Sequence, residues 1–113
     1  MKFRIILIAS FLCVIASCVQ ERKPIAILAL GDSITAGGTN FVSYRKILIP
    51  KLKKRNILFE FIGPNKDVVS HHAGYPGKNT AYLRQISKDI YRQYPADIVL
   101  LHAGHNSCSK DKP

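Results

Sequence analysis

At 113 residues the chain is long enough for one small domain at most, since ordinary single-domain cores need about 100 to 150 residues. An apolar content of 47% argues against disorder, and 17 basic against 7 acidic residues give a formal charge of +10 that would attract anionic surfaces. That charge does not point to nucleic acid, because the basic residues are scattered through helix-like segments and no recognition motif accompanies them.

Lys2 and Arg4 precede an almost wholly apolar run from Ile5 to Ile15, after which Ala16 and Ser17 place small residues before Cys18. The run is short for a membrane span, which needs about 20 residues, and reads as an export signal. It resembles a bacterial lipoprotein signal, which implies cleavage before Cys18, lipidation of Cys18 and a chain anchored to the membrane of the bacterial cell envelope. Residues 1–17 are then signal, 18–24 a tether and 25–113 a partial domain. Losing Lys2 and Arg4 leaves 15 basic and 7 acidic residues, a charge of +8. Export makes anionic glycans or lipid headgroups the counterparts of that charge, although Lys51, Lys53, Lys54 and Arg55 read first as a solvated helix end. Cys13 lies in the signal and Cys18 is taken by lipid, so Cys108 is alone, and neither an intrachain disulfide nor a cysteine-rich metal site is expected.

Ile25 to Leu30 is continuously apolar and stops at Gly31, the pattern of a parallel strand buried on both faces. Gly37 and Gly38 break the chain, and Thr39 or Asn40 can cap a helix beginning near Phe41. Phe41, Tyr44, Leu48 and Leu52 recur at spacings of three and four, while Pro50 predicts a kink or a restarted turn. Ile57 to Ile62 is a second strand, closed by Gly63 and Pro64. Residues 65–78 have no periodic face and read as a loop, long enough to suggest function. A second helix opens near Thr80, carries Leu83, Ile86, Ile90 and Tyr94 along one side, and ends at Pro95. Asp97 then introduces Ile98 to Leu101, a third buried strand.

The order strand, helix, strand, helix, strand makes the strands parallel and collects the segments after Leu30, Ile62 and Leu101 at one carboxyl edge. A serine just after a buried strand is rigidly supported, but its hydroxyl needs a positioned base to become a nucleophile, and the resulting oxyanion needs aimed donors. Ser33 has candidates for such donors in the glycine-rich turn around Gly74 and Gly77 and in Asn106. In isolation Asp32-Ser33 would be a loop start that caps a turn, and Asn106 a turn residue. Their placement after successive buried strands favours chemistry.

Gly31-Asp32-Ser33-Ile34-Thr35-Ala36-Gly37 resembles the first block of the SGNH, or GDSL, hydrolases. Tyr44-Arg45 followed by Leu48, Phe61-Ile62-Gly63, His72-Ala73-Gly74-Tyr75-Pro76-Gly77 and Pro95 through Asn106 resemble further landmarks, with a flavour closest to the acetyl-xylan and carbohydrate esterase branch. The resemblance implies an α/β fold, a flavodoxin-like three-layer parallel sheet of the SGNH hydrolase type, truncated here after the third strand. It implies attack by Ser33 on ester groups, acetyl first among them, of an acylated carbohydrate or small ester substrate. The oxyanion hole would comprise the Ser33 amide, the Gly77 amide and the Asn106 side chain, with Asp32 supporting the serine loop. Gly74 and His72 fall on the substrate side. Neither cofactor nor metal is implied; the histidines lack the helical pairing or carboxylate cluster of a metal site.

Two departures stand out. Ser107 occupies the place where the family commonly has aspartate, and the family's Asp-x-x-His block, which supplies the general base, has no counterpart in this chain. His71, His72, His102 and His105 read as loop residues with ordinary hydrogen bonds. The expectation is therefore an exported serine esterase whose base is missing from this chain. The competing readings are a noncatalytic, truncated lipoprotein that binds a glycan or a partner, and a chain that does not fold independently.

Overall fold

The apolar run that starts at Ile25 becomes the central strand. Strand β1, Ile25–Gly31, has neighbours along both edges, and Ile27, Leu28, Ala29 and Leu30 are buried. The computed structural model describes residues 21–107, so the signal segment, the lipidation candidate Cys18 and Cys108 lie outside the described residues. One edge of β1 is shared. Strand β2, Phe59–Ile62, runs parallel to its first half (Ile25 opposite Phe59), and β4, His71–Gly74, runs parallel to its end (Gly31 opposite Gly74). Strand β5, Ile98–His102, lies parallel along the other edge, with Gly31 opposite His102. A short β3, Asn65–Lys66, pairs antiparallel with β4.

Side chains alternate across a strand, so β1 presents two apolar faces. Ile27 and Ala29 join Phe61 beneath helix α2, Tyr44–Lys54, through Tyr44, Leu48, Ile49 and Leu52. Leu28 and Leu30 join Ala73 beneath helix α3, Thr80–Gln93, through Leu83, Ile86 and Ile90. The helices thus cover opposite faces, and the domain is a three-layer α/β structure with a mainly parallel sheet. A single helical turn, α1, Ser33–Ala36, follows β1 directly. At the other end of the sheet Asp97 pairs with β1 twice. Its amide donates to the Ala26 carbonyl (2.9 Å), and its carboxylate accepts the Ala26 amide (2.8 Å). Among the described residues no helix is long and apolar enough to cross a membrane.

Several local expectations are corrected. Residues 65–78 are not all loop, because they contain β3 and β4, two and four residues long and too short to show a period. The helix expected near Phe41 starts at Tyr44, since Ser43, not Thr39 or Asn40, supplies the capping oxygen to the Arg45 amide (3.3 Å). Pro50 does not restart α2, which runs through it as one helix. Pro50 and Lys46 are both exposed, so the Lys46 carbonyl that loses its donor can be solvated. The second strand begins at Phe59 because the Ile57 amide is held by Leu52 in the helix-terminal turn (3.2 Å). Strand β5, expected to be buried, leaves Ile98, Val99 and Leu101 exposed, the last by 65%, because no described element covers its outer side. The second helix matches its expected span, with Asn79 accepting the Tyr82 amide as its cap (3.0 Å).

Candidate active site

Gly31 is level with Gly74 on one side and His102 on the other, so the segments that follow β1, β4 and β5 leave the sheet at the same height. That register brings the Ser33 turn, the Gly77 turn and the Asn106 turn to one edge. The Tyr75 amide donates to the Gly31 carbonyl (2.8 Å), joining the first two segments. Asn106 Nδ2 donates to the Lys78 carbonyl (3.0 Å), joining the second and third. Ser107 has a role of its own: its hydroxyl accepts the Thr80 amide (3.2 Å) and lies 3.0 Å from the Thr80 hydroxyl, fastening the Asn106 turn to the start of α3.

Ser33 opens α1 and is half-buried. Asp32 is its cap, fully buried, with Oδ1 accepting the Ile34 amide (2.9 Å) while Oδ2 has no partner. The orphaned carboxylate oxygen is costly to bury and sits immediately before the nucleophile candidate. His102 Nδ1 lies 3.9 Å from Asp32 Oδ1, and the imidazole is half exposed at the strand end. Gly77 has φ +75°, a conformation that favours glycine, and a Cβ there would meet nothing. Among the described residues neither the Gly77 amide nor the Ser33 amide or hydroxyl has a hydrogen-bond partner. Both amides are therefore free to serve a bound oxyanion, and Asn106 keeps a second amide hydrogen for the same purpose.

Gly74 and His72, expected on the substrate side, are both buried. His72 is 6% exposed, and its Nδ1 accepts the Gly74 amide (3.0 Å), so that donor is occupied. Burial and the nearby Arg45 charge push the His72 imidazole below its ordinary range, with His71 adding to the effect and Asp67 opposing it. Nδ1 is thus held in its accepting form. Gly74 instead packs flat on α1, where no side chain fits: a Cβ would come within 2.4 Å of the Ala36 nitrogen. His71 is exposed, with Nδ1 3.3 Å from the Gly63 carbonyl, and His105 is exposed too. Among the described residues no imidazole hydrogen bonds to Ser33.

The sequence reading assigned no role to the buried polar cluster behind the turn. Arg45 is fully buried on α2, and its guanidinium donates to the Thr35 and Ala36 carbonyls, to Ser70 and to Asp67. Burial alone would raise the Asp67 carboxyl, but the Arg45 hydrogen bond and the Ser70 and Val69 amides outweigh it and hold the group well below the usual carboxylate range. Asp67 with its two following amides is a recognisable Asx turn, the one signal that could have marked it. An open cleft of about 400 Å³ adjoins this cluster, lined by residues of the Gly37–Ser43 loop and by Asp67, Val68 and Val69. Among the described residues no three His, Cys, Asp or Glu side chains gather as metal ligands.

No family model and no curated protein matches the chain. Solved structures do. A family 3 carbohydrate esterase from Clostridium thermocellum matches with a TM-score of 0.68 and 26% identity, over 75% of this chain and 46% of its own. A family 3 carbohydrate esterase from Talaromyces cellulolyticus matches with a TM-score of 0.61 and 20% identity, over 76% of this chain and 46% of its own. An acetyl esterase mutant with acetate ion gives a TM-score of 0.59 at 20% identity and the same coverage. The chain therefore spans about half the length of these structures, and it is similar in fold to the amino-terminal portion of SGNH-type family 3 carbohydrate esterases.

Proposed function

We propose that the chain carries the nucleophile and oxyanion half of a serine esterase that removes ester groups, acetyl first among them, from carbohydrate. The observation that carries this reading is the alignment of Gly31 with Gly74 and His102, which turns the Ser33, Gly77 and Asn106 segments out at one sheet edge, the Ser33 and Gly77 amides having no partner among the described residues. Ser33 Oγ adds to the ester carbonyl, and its proton passes to a base. The carbonyl oxygen, now charged, is held by the Ser33 and Gly77 amides and by Asn106 Nδ2. Collapse expels the sugar hydroxyl and leaves an acyl-serine, which water then hydrolyses. The base lies outside the set of groups that hydrogen bond to Ser33 in the described residues. The solved neighbours being carbohydrate esterases supports carbohydrate as the alcohol.

The absence of an imidazole on Ser33 among the described residues favours the second reading, a noncatalytic domain that binds acylated glycan. Release of acetate from acetylated xylan and of p-nitrophenol from its acetate, by the wild-type chain and Ser33→Ala, separates the two. Turnover that Ser33→Ala abolishes at unchanged urea midpoint supports the esterase; equal traces from both proteins would leave only binding. Export and anchoring at the bacterial cell envelope through lipidated Cys18 belong to the same proposal. They are supported by the apolar run before Cys18 and tested by the mass of the amino-terminal peptide from envelope fractions.

A further inference from the structure

We propose that Arg45 is a positioning residue for the nucleophile, acting through a closed ring of contacts that holds α1 against β4. The inference rests on the reading of Ser33 as the nucleophile. A one-turn helix cannot hold its own shape, since nucleation is unfavourable and its terminal carbonyls have no partners within it. In α1 those carbonyls are taken by Arg45: Nε donates to Thr35 (2.9 Å) and Nη2 to Ala36 (2.9 Å). The other side of the same guanidinium faces β4. Nη1 and Nη2 both donate to the Asp67 carboxylate, and Nη1 also donates to the Ser70 hydroxyl (2.7 Å). Every N–H of the fork thus has an acceptor, which is what permits a fully buried guanidinium.

The ring closes through the site's second segment. Asp67 Oδ2 lies 3.8 Å from His72 Nε2, His72 Nδ1 holds the Gly74 amide, and Gly74 rests on Ala36 at the end of α1. Starting from Ser33's own helix, the contacts run through Arg45, Asp67, His72 and Gly74 and return to that helix. Three residues beyond Gly74 is Gly77, whose amide has no partner among the described residues. Ser43, the cap of α2, adds a parallel tie by donating to the Thr35 carbonyl (3.0 Å). A well-packed apolar residue would fill the position of Arg45 at no desolvation cost, so stability alone does not account for the charge. Holding two carbonyls and a carboxylate at fixed spacing requires a planar fork, which lysine does not supply.

The test uses the full chain, with Arg45→Lys and Arg45→Ala compared with wild type in two measurements. The first is kcat and KM for p-nitrophenyl acetate, with and without guanidinium ion far below denaturing concentrations. The second is amide hydrogen exchange in peptides spanning 33–38 and 83–93. Arg45→Lys is expected to lower kcat by about 10-fold and Arg45→Ala by about 100-fold, with KM within about twofold and partial rescue of Arg45→Ala by guanidinium. Exchange is expected to quicken in 33–38 and to hold in 83–93. Unchanged exchange in 33–38, or equal quickening in both peptides, would overturn the proposal. If wild type shows no Ser33-dependent turnover, the esterase reading fails, and the exchange comparison still decides the clamp.

Discussion

Gly74→Ala is the sharpest probe of the site, because the space it needs is already filled. An added Cβ would lie 2.4 Å from the Ala36 nitrogen, 2.7 Å from its Cα and 2.9 Å from its Cβ, and none of these atoms can rotate away. Ordinary contact begins near 3.4 Å, so α1 must retreat from β4 by about 1 Å. Overpacking of that kind costs about 1–3 kcal/mol of stability. The effect on chemistry is larger, because displacing a reacting group by about 1 Å costs on the order of 100-fold in rate. The assay is kcat for Ser33-dependent hydrolysis of p-nitrophenyl acetate, read beside the urea midpoint of the same preparation. A variant that remains folded with kcat within about twofold of wild type would refute the claim that the contact between Gly74 and Ala36 sets the nucleophile's place.

Two other outcomes concern stability. The folded state holds His72 below its ordinary value of 6.5, so the unfolded chain binds the proton first. Its contribution is complete above that value and is lost as pH falls beneath it. The urea midpoint should therefore drop between about pH 7.5 and about pH 5, and His72→Gln should flatten the profile. The depressed Asp67 carboxyl contributes through the whole of that window and loses its effect only below the ordinary carboxylate range, so a flat wild-type profile between those pH values would contradict the His72 assignment. Leu83→Ala removes the most buried side chain of α3. It should cost roughly 2–3 kcal/mol, the lower part of the usual range, since an opening of about 170 Å³ already adjoins Leu83; thermal unfolding would show the loss.

Much of this was legible in the residues. The continuous apolar runs fixed the order of β1, β2 and β5, and the three-and-four spacing of Leu83, Ile86 and Ile90 located α3, because burial on one or two faces leaves a period that composition cannot hide. The edge holding Ser33, Gly77 and Asn106 then followed from parallel crossovers, while the three-layer arrangement came from the family resemblance. What stayed hidden has physical causes. Strands β3 and β4 are too short to show a period, and their pairing is decided by partners far away in sequence. Arg45 stood out only as part of a family landmark, with no role assigned, because its burial depends on carbonyls at 35 and 36 and a carboxylate at 67 meeting in space. His72 and Gly74 looked like substrate-side residues for the opposite reason: their hydrogen bond is local, but the turn that forms it was not recognised. The cover of β5 was overestimated, since an apolar run reports what could be buried, not what is.

The double pairing of Asp97 with Ala26 acts as an alignment pin for the site it never touches. It sits at the start of β5, and the strand then advances about 17 Å before delivering His102 level with Gly31. A slip of one residue along β1 would exchange the two faces of β5 and move the Asn106 turn off its hold on Lys78. Two hydrogen bonds at the far rim thus calibrate where the third arm of the site arrives, and the accuracy of a short polar turn is set by a carboxylate at the other end of the sheet.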